Sequence, residues 1–127
     1  MMRKIVDIPF VRYANRDANG VSISCEPTRE DIQLAINNKE FEQRGFQSHL
    51  NELRAEWEKN VRNGQEWNER IRVYHTRRIA YFVEHGWVDP IILNPDGTMK
   101  DGLHRLKAAI FMDKDEVDVI ISDSDSK

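Results

Sequence analysis

Residues 90–105 have the sequence PIILNPDGTMKDGLHR, and this segment decides the fold, because it predicts a strand, a reverse turn, a returning strand and the start of a helix. Asn94-Pro95-Asp96-Gly97 is typical of a tight turn, since proline presets φ and glycine accepts a positive φ. The returning strand then meets Gly102, and we predict a helix over residues 103–112. A strand that turns on a glycine into a helix directs backbone N–H groups and the positive end of the helix dipole at one point. The sequence therefore predicts an anion-binding site at this turn.

His104 and Arg105 lie in the first turn of that helix. A guanidinium can bind two phosphate oxygens at once, and an imidazole can donate a hydrogen bond or relay a proton. Asp101 could hold Mg²⁺ or act as a base toward an attacking water, because both roles need a carboxylate beside the phosphate. Asp101 could equally cap the helix or close the hairpin. The turn thus predicts phosphate binding, with phosphoryl chemistry as the hypothesis to test.

Length and composition limit the classes of protein to which such a site can belong. The chain has 127 residues, of which 32% are charged and 39% apolar, so we expect a single domain over residues 1–127 with a polar tail at 122–127. No apolar run approaches the roughly 18 residues that span a membrane, and the start lacks the apolar core of a signal peptide. Cys25 is the only cysteine, which excludes an intramolecular disulfide. We expect a cytoplasmic protein with no membrane partner.

Charge is distributed unevenly around a net value of −3. Residues 70–78 contain four arginines and no acid, whereas residues 113–125 contain six acids and a single lysine. A basic helix near the glycine turn would support an anion site, and the acidic end would repel a long polyanion. This distribution favours a small phosphate ligand or a short nucleic-acid contact over extended duplex binding.

Strands are predicted at residues 4–11, 21–25, 87–93 and 117–121 and helices at residues 28–36, 46–63 and 65–85. In the second helix, Leu50, Leu53 and Trp57 form a narrow apolar stripe, which predicts either packing as a helical hairpin or a surface for a protein partner. In the third, Arg78 lies among aromatic residues, and a buried charge there requires an acid, a carbonyl or a bound anion. Either Arg78 or its more exposed neighbour Arg77 could therefore contact the ligand.

The ensemble of segments from the end of the third helix onward resembles the ParB N-terminal and sulfiredoxin-like superfamily. The resemblance covers about residues 70–122 and the strand near residues 5–10, and its most specific pieces are Pro90-Ile91 and the Asp-Gly-x-His-Arg turn. Residues 20–65 look like an insertion. The segments that carry the resemblance are Glu84-His85-Gly86-Trp87, Asp89-Pro90-Ile91-Ile92-Leu93, Asp101-Gly102-Leu103-His104-Arg105-Leu106-Lys107-Ala108-Ala109 and Val117 to Ile121.

The resemblance implies an α+β fold with a small mixed sheet, central helices and an inserted helical hairpin, and a nucleotide-phosphate pocket at the glycine turn. Gly102, His104 and Arg105 match the phosphate-binding turn of the superfamily, and Asp101 matches the acid that often precedes the glycine. Some members hydrolyse CTP, some transfer phosphate from ATP or ADP, some reduce sulfinic cysteine and many are described as nucleases. The fold alone does not choose among these reactions.

Two departures from the superfamily narrow the choice. Sulfiredoxins carry a nucleophilic cysteine immediately before the His-Arg pair, and Leu103 stands there in this chain, so sulfinic acid reduction is not expected. ParB proteins that partition chromosomes have Gly-Glu-Arg-Arg at the turn and continue into a helix-turn-helix and a dimer domain. We expect only the nucleotide-binding or nuclease module here.

Two functions remain. The first is a phosphate-handling enzyme, a ParB-like nuclease or nucleotide hydrolase that takes ATP, CTP or a nucleic-acid phosphodiester, with Mg²⁺ as cofactor. Its catalytic residues would be Asp101 and His104, with Asp101 also the metal ligand. The second is a non-catalytic DNA-binding or protein-interaction module that uses the inserted helices. The predicted phosphate-binding residues in both cases are Gly102, His104, Arg105, Arg77 and Arg78.

Overall fold

The computed structural model of the chain describes residues 1–16, 19–57 and 64–122 and shows an α+β fold. The chain forms two compact units, unit 1 with Met1–Val11 and Phe82–Lys127, and unit 2 with Arg12–Tyr81. The expectation of a single domain stays a prediction. The described elements, in chain order, are strand β1 (Met2–Lys4), a 3-10 turn (Ile5–Asp7), strands β2 (Ala14–Arg16) and β3 (Ser22–Ser24), helices α1 (Arg29–Asn37), α2 (Phe46–Trp57) and α3 (Gly64–His85), strands β4 (Ile91–Leu93) and β5 (Met99–Asp101), helix α4 (Leu103–Phe111) and strand β6 (Glu116–Ile121).

Unit 1 is built on a four-stranded mixed sheet with the order β1-β6-β4-β5. Strand β6 pairs antiparallel with β1 and parallel with β4, whereas β4 and β5 form an antiparallel hairpin. Strand β4 begins only at Ile91 and Val88 is exposed, so the prediction of a buried strand from residue 87 is wrong for residues 87–90. The predicted turn closes that hairpin, because the Gly97 N–H donates to the Asn94 carbonyl at 2.8 Å. The buried core of this unit combines the sheet with one side of α4 and consists of Ile8, Ile91, Leu93, Leu106, Ala109, Val117 and Val119.

The first strand is shorter than the sequence predicts. Pairing with β6 ends at Lys4, and the chain then enters the 3-10 turn, although the Ile5 N–H still donates to the Asp115 carbonyl at 2.9 Å. Ile5 and Ile8 pack toward the core while Val6 is exposed. A spacing of three between inward side chains fits a 3-10 turn and not a strand, so the prediction of a strand over residues 4–11 is wrong.

Unit 2 contains the β2–β3 hairpin and the described parts of α1, α2 and most of α3. Helix α1 begins where the sequence predicts, with Thr28 as its N-cap. The Thr28 hydroxyl accepts a hydrogen bond from the Asp31 N–H at 3.0 Å, and the Asp31 carboxylate accepts one from the Thr28 N–H at 2.9 Å. This reciprocal capping box satisfies two N–H groups that the helix itself leaves without acceptors.

Aromatic contacts hold α2 against α3 within unit 2. The His75 ring stacks on the Tyr13 ring, with ring centroids 3.7 Å apart. It also stacks on the Phe46 ring, with centroids 5.6 Å apart. The His49 ring stacks on Tyr74 at 4.4 Å. His75 and His49 are therefore packing residues of this unit.

The apolar stripe of α2 faces the interior of unit 2 at least at one position. Leu53 is fully buried and Leu50 is half-buried, so this side of the helix packs in its own unit. The side chain of Trp57 and residues 58–63, on which the rest of the predicted helix falls, lie outside the described part. Helix α3 ends at His85, with Gly86 at φ +75°, as the sequence predicts. Of the helices in residues 1–16, 19–57 and 64–122, none has both the length and the apolar character of a membrane span.

Candidate anion-binding site

The glycine turn lies between β5 and α4 in unit 1. Gly102 is the N-cap of α4, adopts a left-handed conformation with φ +104°, and offers no side chain to cap the helix. The first intrahelical hydrogen bond runs from the Leu106 N–H to the Gly102 carbonyl at 2.9 Å. The N–H groups at the start of the helix therefore have no acceptor inside α4, and they lie at its positive end. This is the backbone arrangement that the sequence predicts for anion binding.

Only glycine fits at position 102. A Cβ there would lie 3.0 Å from Arg105 Nη2 and 3.2 Å from Ile91 Cγ1. Both distances are shorter than ordinary contacts, and the positive φ disfavours any L-residue independently. The turn thus brings the guanidinium of Arg105 directly against the main chain at the start of α4.

Arg105 is the most constrained cation of the turn. Its side chain is 12% exposed, and Nη1 donates to the carbonyls of Asp89 at 3.0 Å and Pro90 at 3.1 Å. Nη2 lies 3.7 Å from Asp101 Oδ2, which is an ion pair at long range. Arg105 therefore holds the chain before β4 to the start of α4, and one of its two amino groups is already bound to neutral acceptors. Its role in binding phosphate stays a prediction.

Asp101 and His104 occupy the two sides of this turn. The side chain of Asp101 is 71% exposed, and His104 is half-buried on α4. Within the described residues, no three His, Cys, Asp or Glu side chains lie close enough together to hold a metal ion. Mg²⁺ at phosphate sites commonly takes only one or two protein carboxylates and completes its shell with phosphate oxygens and water. Asp101 fits a metal that is shared with a bound phosphate and does not fit a protein-only metal site.

Lys107 is a cation of α4 that the sequence reasoning missed. It is 4% exposed, and its Nζ lies 4.3 Å from the centroid of the Phe10 ring. A lysine at i+3 from His104 lies next to it on the helix surface. The signal in the sequence is a lysine within Leu106-Lys107-Ala108-Ala109, a run in which every other side chain is apolar and buried.

Arg77 and Arg78 lie on α3 in unit 2, whereas the glycine turn belongs to unit 1. Arg77 Nη2 forms an ion pair with Glu40 at 3.2 Å. Arg78 Nη1 donates to the main-chain carbonyls of Glu42 and Gln43, so its charge is compensated by carbonyls as well as by the Tyr81 ring, 5.8 Å from its Cζ. These contacts anchor the segment before α2 to α3. Ligand contact by either arginine stays a prediction.

A groove of unit 1 lies at the other end of α4, away from the glycine turn. It is an open groove of about 290 Å³, and its walls include the half-buried indole of Trp87 and two methionines. The residues that line it are Met2, Gly86, Trp87, Met112, Lys114, Glu116, Val117 and Asp118. Trp87 is held by an edge-to-face contact with Phe82, with ring centroids 6.2 Å apart.

The chain was compared with family models, curated proteins and solved structures, and none of them matches it. The geometry of the turn and the sequence pattern are thus what supports a functional assignment.

Proposed function

We propose that the β5–α4 turn binds a phosphate group of a nucleotide or nucleic acid, and that the chain is a ParB-like domain. One observation carries the proposal: the largely buried guanidinium of Arg105 lies against the positive end of a helix that has no side-chain cap. A cation at a helix N-terminus is unfavourable by about 0.3–1 kcal/mol even at exposed sites, and burial adds to that cost. An anion bound at this place would compensate the helix dipole and the guanidinium together.

The compensation that the protein itself provides is weak. The described partners of the guanidinium are two neutral carbonyls and one carboxylate, Asp101, whose nearest oxygen is 3.7 Å away. An ion pair of that length with an exposed carboxylate contributes little to stability. Phosphate oxygens accept charge-assisted hydrogen bonds that are roughly twice as strong as those accepted by neutral carbonyls. The site therefore fits an anion better than it fits its own side chains.

The order of elements in unit 1 agrees with the ParB-like part of the proposal. A hairpin leads through a left-handed glycine into a short helix, and the chain then returns as a strand parallel to the first strand of the hairpin. Residues 20–65, which the resemblance treats as an inserted helical segment, fall within unit 2. These features support the ParB-like part of the proposal.

The catalytic form of the proposal assigns Asp101 to Mg²⁺ and His104 to proton transfer in the hydrolysis of a phosphoanhydride or phosphodiester. Mg²⁺, when bound, would neutralise phosphate charge and polarise the reacting phosphorus centre. Asp101 is exposed enough to reach a metal shared with phosphate, and His104 lies in the first turn of α4. A binding domain without turnover would keep Arg105 and the glycine turn in the same role.

Binding is tested by thermal unfolding with ATP, CTP, GTP, ADP, pyrophosphate and short DNA, each with and without Mg²⁺. A ligand present at 100 times its Kd should stabilise the protein by about 2.7 kcal/mol. Arg105→Gln should remove most of this stabilisation, whereas Lys4→Gln, which removes an equal charge from exposed β1, should keep it. Equal responses of the two variants, or no response to any ligand, would contradict the proposal.

Catalysis is tested separately with Asp101→Asn. If Asp101 holds the metal, the variant should lose Mg²⁺-dependent phosphate release or nicking and should bind the ligand nearly as well as the natural protein. Asp113→Asn, a distant carboxylate after α4, is the control. Unchanged turnover of Asp101→Asn would remove Asp101 from the catalytic role and leave the binding function in place.

A further inference from the structure

We propose that Arg105 is a latch: it holds residues 86–90 when the turn is empty, and an anion bound at the turn takes over its guanidinium and releases that segment. The inference rests on the proposed function, because it requires an anion at the start of α4. It adds a conformational change, the release of residues 86–90, to the binding of an anion at the turn.

The latch is visible in the hydrogen bonds of one amino group. Arg105 Nη1 donates to the carbonyls of Asp89 and Pro90, the last two residues before β4. The segment that these bonds hold begins at Gly86, in a left-handed conformation, and includes Val88, which is 95% exposed and has little packing of its own. Few buried contacts and an exposed backbone are typical of segments that open locally. Trp87 packs against the core of unit 1 and against Phe82, so the segment has two restraints, the indole near its start and the guanidinium at its end.

The same guanidinium lies beside the glycine at which the anion is proposed to bind. Nη2 lies 3.0 Å from the position that a Cβ of residue 102 would occupy, and Gly102 is the N-cap of α4. A phosphate that accepts hydrogen bonds from the N–H groups of this turn would lie within reach of the guanidinium as well. Because charged acceptors bind a guanidinium more strongly than carbonyls do, Nη1 would exchange Asp89 and Pro90 for phosphate oxygens.

The exchange has the thermodynamic form that a ligand-driven switch requires. A ligand shifts an equilibrium between two conformations only if it binds one of them more tightly. When the latch is closed, the anion can use Nη2 but must compete with two carbonyls for Nη1. When the latch is open, both amino groups face the anion, so the open conformation binds it more tightly.

The released segment also forms part of a second surface. Gly86 and Trp87 line the groove of about 290 Å³ at the other end of α4. Movement of residues 86–90 would displace the indole that forms one of its walls. An anion at the turn would therefore change the shape of this groove without touching it.

The test measures amide hydrogen exchange of a peptide that covers residues 86–92, with and without sodium pyrophosphate, at ionic strength matched with sodium chloride. Binding of pyrophosphate is followed in parallel by NMR shifts of the Gly102, Leu103 and His104 amides. The latch predicts faster exchange at the amides of residues 86–89 and 91 when pyrophosphate binds, on the order of fivefold, because the loss of about one hydrogen bond to the Asp89 and Pro90 carbonyls makes local opening of the segment more frequent. In Arg105→Lys, which keeps the charge but lacks the planar fork, exchange should be fast without the anion and should not change with it. Lys4→Gln should respond as the natural protein does.

The outcomes separate the two proposals. Pyrophosphate that shifts the amides of the turn while exchange in residues 86–91 stays the same or slows would overturn the latch and leave the anion site standing. Turn amides that do not respond to pyrophosphate at any concentration would overturn both. Faster exchange in the natural protein and in Arg105→Lys alike would show that the segment responds through another contact, and would also overturn the latch.

Discussion

Replacing Gly102 by alanine tests whether the turn has the conformation on which the anion site depends. At φ +104° an alanine lies beyond the left-handed region that L-residues tolerate, which costs about 1–3 kcal/mol. The new Cβ would also lie 3.2 Å from Ile91 Cγ1 in the core and 3.0 Å from Arg105 Nη2. Ile91 is completely buried and has no room to move, so the guanidinium is the group that must shift.

Displacement of the guanidinium adds a second cost. Arg105 would lose its hydrogen bonds to the Asp89 and Pro90 carbonyls, and bonds from charged donors contribute about 1.5–3 kcal/mol. The backbone cost and the loss of hydrogen bonds are coupled and do not simply add, so we expect Gly102→Ala to lower the free energy of unfolding by about 2–4 kcal/mol. The Tm should fall by roughly 4 °C for each kcal/mol in a chain of this size. Urea unfolding followed by circular dichroism measures the difference.

Gly86→Ala is the matched control for this substitution. Gly86 has φ +75°, but no atom lies within 4 Å of its added Cβ, so only the backbone cost applies. We expect about 1 kcal/mol for this variant. If Gly102→Ala costs no more than Gly86→Ala, the crowding of Arg105 against the turn is absent in solution, and the argument for a guanidinium held over the start of α4 fails.

Three further predictions concern other parts of the chain. Thr28→Ala should lower the free energy of unfolding by about 1 kcal/mol because it removes the capping bond from Asp31, whereas Thr28→Ser should keep most of it. Burial lowers the pKa of His49, so the unfolded chain binds the proton more tightly than the folded chain does. The contribution of neutral His49 to the free energy of unfolding should therefore be fully present above about pH 6.5 and should decrease as the pH falls toward the pKa of the folded state. His49→Gln should make the free energy of unfolding, measured with urea, less dependent on pH between 7.5 and 5.5. Phe10→Leu should cost about 0.5–2 kcal/mol, and clearly less in a Lys107→Met background, if the ring–ammonium contact contributes to stability.

Features encoded by a few neighbouring residues could be predicted from the sequence. The Thr28 cap, the Asn94–Gly97 turn and the glycine before α4 each follow from local chemistry, because a hydroxyl, a proline or a glycine acts on its own stretch of backbone. The α+β class follows from the same local signals taken in order. The position of the candidate site depended on one of these features, Gly102, and was therefore within reach.

Features that depend on distant partners could not be predicted. Strand β2 lies in a stretch that local propensity marks as turns, and it exists because it pairs with β3. The hydrogen bonds of Arg105 to Asp89 and Pro90 depend on how the segment before β4 passes the start of α4, which no spacing in the sequence encodes. Burial of Lys107 beneath Phe10 likewise joins two parts of the chain that are far apart in sequence.

The two described N-caps of this chain provide the strongest physical argument for a ligand at the turn. Helix α1 begins with a full capping box between Thr28 and Asp31, and its acidic first turn suits the helix dipole. Helix α4, of the same nine-residue length, begins with a left-handed glycine, has no acid in its first turn and carries Arg105 there, whereas the first-turn cation of α1, Arg29, is accompanied by Glu30 and Asp31. A glycine N-cap costs only a few tenths of a kcal/mol relative to a threonine N-cap, and a cation in the first turn costs about 0.3–1 kcal/mol, so the start of α4 is less stabilised than the start of α1 by up to about 1 kcal/mol. The partners that Arg105 has at this turn are two neutral carbonyls and one long ion pair, and a bound anion would interact favourably with both the guanidinium and the positive end of α4.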